Sequence, residues 1–418
     1  MIKKILFVHH GSMVGGAPVS LRNTVAGLRE EGFDRLQILC AFPQMKPFFQ
    51  QEQGVDVGDI YSPYLTLGRV FVGLARLTSP RTFMNFFREI LSAPWIIRRQ
   101  VQTLKREQPD VVHLNSSILF LAAVSAKLAG IPLVWHVREV LIGGRWNLRR
   151  IFTSWFIRRV ANVVICISET EAKSLGSSDA ERKVRVIYNF IDIESFRDSS
   201  GDAMLERQKY GIGDEKVVLS LGGVSFRKGT VELIQAADQM KKVKFLIAGH
   251  SPPTIKQNWL RLQLIYLIHW VEDLLLRVEW KQIYSWHYEH RVALFMATKP
   301  HPNLRLLGKV DQVAPLINLC DVLIFAGCTP HFPRPVYEAW SLKKPVVVFD
   351  VQGVRENVTD GVDGVICDRN DAAGLLRALS KVKVGMGEAG YRKSVEKFER
   401  KKNVKKIVSV YHQLFSDK

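Results

Sequence analysis

Short apolar runs alternate with helical periodicities along most of the chain. Eleven runs have the length and residue types of buried strands: 5–8, 36–41, 111–114, 133–136, 163–167, 184–188, 217–221, 245–248, 304–307, 322–325 and 346–349. Helical patterns lie between most of them, and Leu21, Val25 and Leu28 mark one apolar helix face at i, i+4 and i+7. This alternation predicts an α/β fold of doubly wound parallel sheets with helices on both faces.

The alternation is interrupted by a polar, turn-rich stretch that begins at Ser195. The number of strands suggests two Rossmann-like sheets, so we predict an N-terminal domain at 1–195 and a second domain at 196–395. Residues 251–300 separate two predicted strands and hold four of the nine tryptophans, which indicates an insertion. The lysine-rich end, 396–418, has the pattern of a final helix.

Length and composition are compatible with two domains. The chain has 418 residues and 47% hydrophobic content, enough for two full cores. Its 59 basic and 40 acidic residues give a formal net charge of +19, which favours phosphates, nucleic acid or an anionic membrane as partners. The five cysteines form no CxxC pair, and most lie in apolar runs. We therefore expect small buried thiols in a reducing compartment and no metal site.

Neither of the two most apolar stretches has the pattern of a targeting or membrane segment. The N-terminal apolar run ends after four residues at His9, which is too short for a signal peptide. The longest stretch, 117–135, is interrupted by Lys127, Gly130 and Pro132. It predicts a helix, a turn and a strand, and we expect no transmembrane helix.

The segment 329–371 holds two predicted loop-to-helix junctions. A proline-rich loop opens a helix, with Pro335 suited to the first helical position and Glu338 expected in the first turn. After the next strand, a turn at Gly353 is expected to open a helix that carries Glu356. Because ligands bind at the carboxyl ends of parallel strands, these junctions predict a cleft for an anionic, hydroxyl-bearing ligand. The alternatives are a plain αβ turn with an accidental Glu338, and a Glu356 favoured only by the helix dipole.

This segment resembles the nucleotide-sugar-binding half of family-4 glycosyltransferases, whose GT-B fold has two Rossmann-like domains facing a cleft. Glu338 matches the second glutamate of the family pattern, which holds the ribose of the donor nucleotide. Pro330 stands where the first glutamate would fall, and the loop that continues with His331 is still similar to the family, which implies a donor contact for His331. The family's Gly-x-x-Glu turn lies near the donor sugar and diphosphate, which implies donor contacts for Gly353 and Glu356. The resemblance also implies that the last helix packs back on the first domain.

In each predicted domain, one glycine loop follows the first strand. Gly15 and Gly16 precede a helix, where bare backbone and the helix N-terminus favour phosphate. The resemblance implies that they face the donor diphosphate. In the second loop, Lys228 matches a family lysine that grips the diphosphate, Gly223 replaces a family arginine, and Arg227 is expected to supply the missing charge. The alternatives are a simple tight turn for the first loop and a solvated Arg-Lys turn for the second.

Several polar residues follow strands of the first predicted sheet. The resemblance implies that His136 is the active-site histidine near the transferred sugar. Asn115, Arg138 and Glu139 are expected on the acceptor side of the same sheet edge. The alternative for His136 is a core or helix-capping histidine. The turn that begins at Asn189 is similar to a family turn and is interpreted as structural.

Two stretches combine basic and aromatic residues. Residues 60–106 hold eight basic residues and one acid, Glu89, and residues 145–159 hold five arginines and no acid. Such stretches are typical of a face that binds an anionic membrane or a lipid-linked acceptor. Alternatives are nucleic-acid stacking on the aromatics and core aromatics beside a solvated basic face. No nucleic-acid-binding module pattern is present, so we do not expect nucleic acid as a partner.

Together these features predict a retaining glycosyltransferase that moves a sugar from a nucleotide-sugar donor to a hydroxyl of a glycan or lipid-linked acceptor. His136 and Glu338 are the predicted catalytic residues, and surface polysaccharide or glycolipid synthesis is the expected process. The resemblance implies no metal or other cofactor. The expected location is cytoplasmic, at the inner face of the cell membrane. Pro330 and Gly223 favour the alternative of a non-catalytic GT-B protein that binds a glycan or lipid for assembly, and charge alone favours a nucleic-acid-binding protein.

Overall fold

Two compact units make up the chain. The computed structural model describes residues 4–72, 80–141, 147–176, 183–225, 228–249, 300–328, 333–368 and 371–416, together with 292 and 296. One unit comprises Met1–Ile193 and Val395–Lys418, and the other comprises Glu194–Ser394. The division after Ile193 lies just before the predicted boundary at 195.

The sheet of the first unit has seven parallel strands in the order β3-β2-β1-β4-β5-β6-β7. All of them except β3 coincide with runs that the sequence predicted. The strands are β1 (Lys4–His9), β2 (Arg35–Cys40), β3 (Val55–Asp59), β4 (Val111–Leu114), β5 (Leu133–Val137), β6 (Val163–Cys166) and β7 (Val184–Val186).

The sheet of the second unit has six parallel strands in the order β10-β9-β8-β11-β12-β13. The two doubly wound parallel sheets confirm the predicted α/β fold class. The strands are β8 (Lys216–Leu221), β9 (Val243–Ala248), β10 (Leu304–Gly308), β11 (Val322–Phe325), β12 (Val346–Phe349) and β13 (Gly364–Cys367).

Helices connect the strands in both units. In chain order they are α1 (Gly16–Glu30), α2 (Lys46–Gln50), α3 (Thr66–Val72), α4 (Pro80–Glu107), α5 (Phe120–Leu128), α6 (Leu148–Val160), α7 (Glu169–Ser174), α8 (Ile193–Asp198), α9 (Ala203–Lys209), α10 (Thr230–Gln239), α11 (Ala314–Leu319), α12 (Arg334–Ser341), α13 (Ala372–Ser380), α14 (Gly385–Lys397) and α15 (Arg400–Ser416). In the part of the chain that the structure describes, none of these helices is long and apolar enough to cross a bilayer. Most of the predicted insertion, 251–300, lies outside the described residues.

The first sheet is covered on both faces because its side chains alternate between two cores. Ile5 and Phe7 face a core shared with α1 and α15, whereas Val8 faces the opposite core with α5 and α6. A Cβ at Gly27 of α1 would lie 2.5 Å from Cγ2 of Val404 on α15, so these helices touch where the glycine lacks a side chain. The lysine-rich C-terminal helix is therefore part of the first unit's core.

Each sheet reverses its winding direction once. In the first unit the reversal lies between β1 and β4, and in the second between β8 and β11. In doubly wound sheets, ligands bind at the carboxyl ends of the strands beside such a switch point. The loops after these four strands are therefore the places where functional side chains are expected.

Candidate functional site

The loop after β8 folds a lysine back over its own glycines. Gly222 and Gly223 have φ angles of 118° and 74°, which favour glycine. A Cβ at Gly222 would lie 2.7 Å from Cε of Lys228, so the lysine stem occupies the space that a side chain would need. The ammonium of Lys228 lies 5.1 Å from the centre of the Phe325 ring, at the end of β11. The loop therefore holds Lys228 at the switch point of the second sheet.

The same loop is pressed against the neighbouring strand ends. Gly229 has a φ of 59°, and a Cβ there would lie 2.7 Å from the carbonyl oxygen of Ala326 and 3.0 Å from Cε2 of Phe349. The hydroxyl of Thr230 accepts a hydrogen bond from the backbone N–H of Ser225 at 3.0 Å. The packing of Gly229 against two strand ends and the Ser225–Thr230 hydrogen bond hold the residues next to Lys228 in place. The fold therefore sets the position of Lys228, unlike that of a lysine in a solvated turn.

Glu338 is buried and forms an ion pair on the other side of the switch point. The helix α12 begins at Arg334 after Pro333, so Pro335 is its second residue and not its first. Glu338 lies in the second turn and not, as the sequence predicted, in the first, because the helix begins before Pro335. Arg334 Nε donates to Glu338 Oε1 at 2.6 Å, and the Glu338 side chain is buried while that of Arg334 is half-buried. Burial alone would lower the pKa of Arg334, but the carboxylate of Glu338 outweighs it and raises that pKa.

The turn after β12 carries Gly353 and Glu356. Gly353 has a φ of 96°. The predicted helix after Gly353 is wrong, because residues 352–357 form consecutive turns that lead towards β13. The Lys393 ammonium donates a hydrogen bond to the backbone carbonyl of Asn357 at 2.9 Å. In a continuing helix, that carbonyl would accept from a backbone N–H instead. Glu356 is half-buried in this turn.

Some predicted donor residues lie where the structure makes no statement. Arg227 and His331 lie outside the described residues, as does Pro330. The described donor candidates of the second unit are Lys228, Glu338, Gly353 and Glu356. They follow β8, β11 and β12, which are neighbouring parallel strands, so these residues all come after carboxyl ends on the same side of the sheet.

The glycine loop after β1 has open space around it. Gly15 precedes α1 with a φ of −163°, an extended conformation that any residue adopts, and no side chain caps this helix end. A Cβ at Gly15 or at Gly16 would meet no atom of the described residues within 4 Å. Neither a tight turn nor packing therefore requires glycine here, which leaves no support for the tight-turn alternative.

A buried arginine holds the carboxyl ends of two strands and a distant turn together. Arg138 follows β5 and donates through Nε to the side-chain oxygen of Asn115, after β4, at 2.8 Å. Its Nη1 donates to the side-chain oxygen of Asn189 at 2.6 Å. The Asn115 amide in turn lies 3.3 Å from Nδ1 of His9, at the end of β1. The structure thus brings Asn115 and Arg138 together at the switch point of the first sheet.

Glu139 lies beside this cluster and holds the loop after β4. Its carboxylate accepts from the Ser116 hydroxyl at 2.7 Å and from the Ser117 hydroxyl and backbone N–H at 2.6 and 3.0 Å. These bonds fix the backbone next to Asn115. In the structure, Glu139 shapes the predicted acceptor side by holding this loop.

His136 ends a chain of buried hydrogen bonds. Its Nδ1 lies 3.2 Å from Nε2 of His113 on β4, and Nδ1 of His113 lies 2.6 Å from the hydroxyl of Tyr411 on α15. Burial, reinforced by Arg138, lowers the pKa of His113 to about 3 and that of His136 well below its usual value. Nε2 of His136 is buried and finds no hydrogen-bond partner among the described residues. Both rings are therefore neutral near pH 7, and one nitrogen of His136 remains available.

The sequence did not predict several members of these clusters. His113 lies two residues after Val111 on β4, so both side chains are on the same face of the sheet, towards which His136 also points. This spacing of two could have indicated from the sequence that His113 is directed into a core. Arg334 lies four residues before Glu338, the spacing of a helical ion pair. No sequence pattern connects Tyr411 with His113. Asn189, interpreted as structural, also contacts Arg138.

Exposed aromatic and aliphatic side chains line α4 and α6. We call them, with the arginines beside them, the basic-aromatic face: Phe83, Met84, Phe87, Ile90, Leu91 and Trp95 on α4, Leu148, Ile151, Phe152 and Trp155 on α6, and Arg81, Arg88, Arg98, Arg99 and Arg159. Phe71 joins the helices, since its ring centre lies 6.4 Å from that of Phe86 and 4.8 Å from that of Phe152. The single acid of 60–106, Glu89, is buried and accepts from the backbone N–H groups of Thr66 and Leu67 at 2.6 and 2.8 Å. The alternative of core aromatics does not describe these side chains, because they are exposed.

Comparison with known proteins defines the class. The model of "Glycosyltransferase Family 4" matches residues 14–195, and that of "Glycosyl transferases group 1" matches residues 202–385. The chain belongs to glycosyltransferase family 4, and its two parallel-sheet units have the GT-B fold. The predicted family is confirmed, and the non-catalytic alternative is not favoured.

Individual relatives are distant but cover most of the chain. The N-acetyl-alpha-D-glucosaminyl L-malate synthase of Bacillus anthracis is 23% identical over 76% of this chain and 78% of its own. The UDP-Gal:alpha-D-GlcNAc-diphosphoundecaprenol alpha-1,3-galactosyltransferase of Escherichia coli is 23% identical over 75% of this chain and 78% of its own. The crystal structure of Anabaena HepE in complex with UDP and glucose superposes with a TM-score of 0.70 at 20% identity, over 98% of this chain and 99% of that one. At this identity, the HepE structure supports the fold alone.

Proposed function

We propose that this glycosyltransferase is a retaining enzyme that moves a sugar from a nucleotide-sugar donor to a hydroxyl of a lipid-linked or glycan acceptor. The observation that carries the donor assignment is the placement of Lys228 and of the Arg334–Glu338 pair on either side of the switch point in the second sheet. A cation and a carboxylate at adjacent strand ends suit the two ends of a nucleoside diphosphate, because one bears charge and the other bears hydroxyls.

In the donor site, each residue has a separate role. Lys228 contacts the diphosphate, and Glu338 accepts hydrogen bonds from the ribose hydroxyls, with Arg334 orienting its carboxylate. Arg227 adds positive charge beside Lys228. We assign His331, Gly353 and Glu356 to contacts with the sugar and the diphosphate. We propose no metal or other cofactor, with the cationic side chains taking its role.

The reaction depends on stabilising the leaving group. The bond between the anomeric carbon and the diphosphate oxygen breaks, and the diphosphate keeps the electron pair. Cations and backbone N–H groups that are already in place stabilise the charge that develops on it. The new bond forms between the anomeric carbon and the acceptor oxygen on the face that the diphosphate leaves, which is retention. The proton of the acceptor hydroxyl passes to the departing diphosphate oxygen on that face. Lys228 and the open backbone at Gly15 and Gly16 are the groups that we assign to this step.

On the other unit, His136 contacts the transferred sugar. Asn115, Arg138 and Glu139 form the acceptor side, where Arg138 is held by amide oxygens and Glu139 holds the adjoining loop. Nε2 of His136 is buried and has no partner among the described residues, which supports the assignment, because a buried polar atom of this kind usually has a hydrogen-bond partner. A sugar or acceptor oxygen would provide it.

The acceptor is presented at an anionic membrane surface, which we place at the inner face of the cell membrane. The basic-aromatic face supports this, because its aromatic side chains can enter the lipid interface while its arginines meet lipid phosphates. A relative whose acceptor is named as a diphosphoundecaprenol lipid gives the same indication. A lipid-linked acceptor would then reach the enzyme by diffusion along the membrane.

The function is tested first by binding and then by turnover. UDP, GDP and their sugars are screened by thermal shift, since a ligand that binds only the folded state raises its stability. The donor that binds is then incubated with a membrane-lipid extract, and product is measured for the wild type, His136→Ala and the exposed-site control His412→Ala. We expect the His136 variant to lose turnover while keeping its nucleotide affinity, and the control to change neither. If nucleotide binds but no donor sugar is consumed with any extract, the non-catalytic alternative is correct.

A further inference from the structure

One ring nitrogen of His136, Nδ1, faces two possible hydrogen-bond donors. Its Nδ1 lies 3.5 Å from Nη2 of Arg138 and 3.2 Å from Nε2 of His113. A guanidinium has N–H donors and no acceptor. A proton on Nδ1 of His136 would therefore point at a cationic N–H group, so this nitrogen is the unprotonated one. A neutral ring with a bare Nδ1 carries its proton on Nε2.

The same reasoning fixes the next ring in the chain. Because Nδ1 of His136 accepts, Nε2 of His113 must carry a proton and donate to it. His113 is neutral at pH 7, since burial and Arg138 hold its pKa at about 3. Its Nδ1 is then bare and accepts from the hydroxyl of Tyr411 at 2.6 Å. Tyr411, His113 and His136 thus form a one-way chain of donors that ends at Nε2 of His136.

We propose that His113 and Tyr411 are positioning residues that hold His136 in its Nε2–H tautomer, so that it presents a hydrogen-bond donor at the carboxyl end of β5. The chain runs from the C-terminal helix across the core to the predicted sugar-binding side. His113 and Tyr411 are buried behind His136, so they act on the reaction through that ring.

This tautomer restricts what His136 can do in the reaction. An Nε2–H group can donate to a hydroxyl or phosphate oxygen, but it cannot accept the proton of the acceptor hydroxyl. His136 therefore stabilises an oxygen of the bound sugar or leaving group and does not act as a general base. This consequence rests on the proposed function, whereas the tautomer itself rests only on the geometry of the first unit.

A spectroscopic experiment tests the tautomer without any substrate. The full chain is labelled with ¹⁵N-histidine, long-range ¹H–¹⁵N correlations are recorded at pH 7, and signals are assigned by their loss in His113→Gln and His136→Gln. We expect both wild-type rings to show a protonated Nε2 and a bare Nδ1. In Tyr411→Phe, the Nδ1 resonance of His113 should shift because it loses its donor. A wild-type His136 protonated on Nδ1, or an unchanged His113 resonance in Tyr411→Phe, would overturn the proposal.

Two substitutions at His113 then separate positioning from packing. His113→Gln keeps an N–H donor towards His136, whereas His113→Leu fills similar space without one. We expect the glutamine variant to retain the His136 tautomer and the leucine variant to show a mixture of both. Equal tautomer populations in the two variants would overturn the positioning role. If the leucine variant does not fold, the Tyr411→Phe spectrum decides.

The turnover arm distinguishes this proposal from the proposed function. With the donor and lipid extract described above, His113→Leu should lower kcat about tenfold, the size of one lost hydrogen bond, with the donor KM unchanged. His113→Gln should recover most of that loss, and His412→Gln, an exposed neighbour of Tyr411 on α15, should have no effect. A wild-type enzyme with the expected tautomers but no turnover would contradict the proposed function alone. Full turnover in His113→Leu with a mixed tautomer would overturn the role of His113 in the reaction.

Discussion

Arg334 Nε donates to Glu338 Oε1 at 2.6 Å, one helical turn away on α12, where Glu338 is buried and Arg334 is half-buried. The glutamate that resembles a ribose-binding residue is therefore not isolated. A carboxylate has about four lone-pair positions, so a bond from Arg334 leaves capacity for hydroxyl donors. The arginine fixes the direction in which the carboxylate can accept them, and the pair should behave as one unit in both binding and stability.

The first prediction concerns Glu338. Replacing it by glutamine keeps the shape but removes the charge, so nucleotide binding should weaken by about 1.5–3 kcal/mol. The protein should also lose stability, by about 3–5 kcal/mol, because the change breaks an ion pair whose side chains are only 15% and 7% exposed. Calorimetric titration with the nucleotide and chemical denaturation measure the two effects.

The matched control for this prediction is Glu388→Gln. Glu388 pairs with Lys343 at 3.0 Å, but both side chains are exposed, and such surface pairs contribute about 0–1 kcal/mol. Neither the affinity nor the stability should change measurably. A folded Glu338→Gln protein that binds nucleotide as well as the control would remove Glu338 from the donor site.

The second prediction separates the diphosphate contact from the rest of the nucleotide. Lys228→Met keeps the aliphatic stem that packs over Gly222 but removes the ammonium. Affinity for the nucleoside diphosphate should fall by about 1.5–3 kcal/mol, and affinity for the matching nucleoside should hardly change. Lys209→Met, at an exposed lysine of α9, is the control. An equal loss for both ligands would mean that Lys228 acts through the fold and not on the phosphates.

Most of the fold could be predicted from the sequence, because buried strands of parallel sheets are continuous apolar runs. The two strands that were not predicted lack such a run. In β3, Val55 and Val57 alternate with polar residues and a glycine, and the strand lies at the sheet edge. In β13, only four residues follow directly on the turn at Gly361. The helix expected after Gly353 does not form for another reason. The backbone carbonyl of Asn357 accepts from Lys393, and the backbone N–H of Thr359 donates to Asp363, so these groups are not available for helical hydrogen bonds.

The site could be predicted as separate residues but not as a network. Lys228, Glu338 and His136 stand in short motifs that resemble a family pattern. Their partners are different, because a hydrogen bond between His113 and Tyr411 joins positions 298 residues apart and leaves no local pattern. Whether a polar residue is a functional group or the support of one depends on contacts that only the folded chain has.

The third prediction concerns the basic-aromatic face. Leu91 is 81% exposed on α4 and Trp155 is 55% exposed on α6. The double variant Leu91→Ser/Trp155→Ser should lose apolar contact with lipid, and Arg88→Gln/Arg98→Gln should lose about 1 kcal/mol per removed charge. Flotation with neutral and anionic vesicles, at low and high salt, measures both.

The control for the membrane face lies in the other unit. Met204 and Leu205 on α9 are also exposed apolar residues, but none of the exposed large apolar residues described in this unit is aromatic. Met204→Ser/Leu205→Ser should float like the wild type. Recovery of the wild type that is independent of lipid charge and of salt would exclude an electrostatic membrane face.

The fourth prediction is an acid-dependent loss of stability. Burial lowers the pKa of both His9 and His113 from 6.5 to about 3. Below pH 6.5 the unfolded chain binds protons that the folded chain does not, so stability must fall as the pH falls from 6.5 towards 3. Each histidine should contribute about 1.4 kcal/mol per pH unit in that window. Chemical denaturation at pH 7, 6, 5 and 4 gives the slope.

The variant His113→Gln isolates the contribution of His113 to this change of stability with pH. The other titrating groups are the same in both proteins, so the variant should lose stability less steeply than the wild type between pH 6 and 4, by about 1.4 kcal/mol per pH unit. Parallel curves would show that His113 is protonated in the folded state at these pH values. That result would also remove the basis for a neutral His113 that accepts from Tyr411.

The last prediction asks whether the first glycine loop serves the fold or a ligand. In the described part of the chain, a Cβ at Gly16 would meet nothing within 4 Å, whereas a Cβ at Gly27, on the same helix, would lie 2.5 Å from Cγ2 of Val404. Gly16→Ala should therefore leave the melting temperature unchanged or raise it, because alanine has less freedom to lose on folding. Gly27→Ala should lower the melting temperature by pushing α15 away.

Activity should follow the opposite order. If the open backbone at Gly16 lies against the donor diphosphate, the methyl group of Gly16→Ala occupies space that the ligand needs, and kcat/KM for the nucleotide-sugar should fall at least about tenfold in a fully folded protein. Gly27→Ala should keep its kcat/KM at temperatures where it remains folded, because its methyl group faces α15. A Gly16→Ala enzyme with wild-type kcat/KM would show that nothing approaches this loop during turnover. The donor site would then have to be built without Gly15 and Gly16.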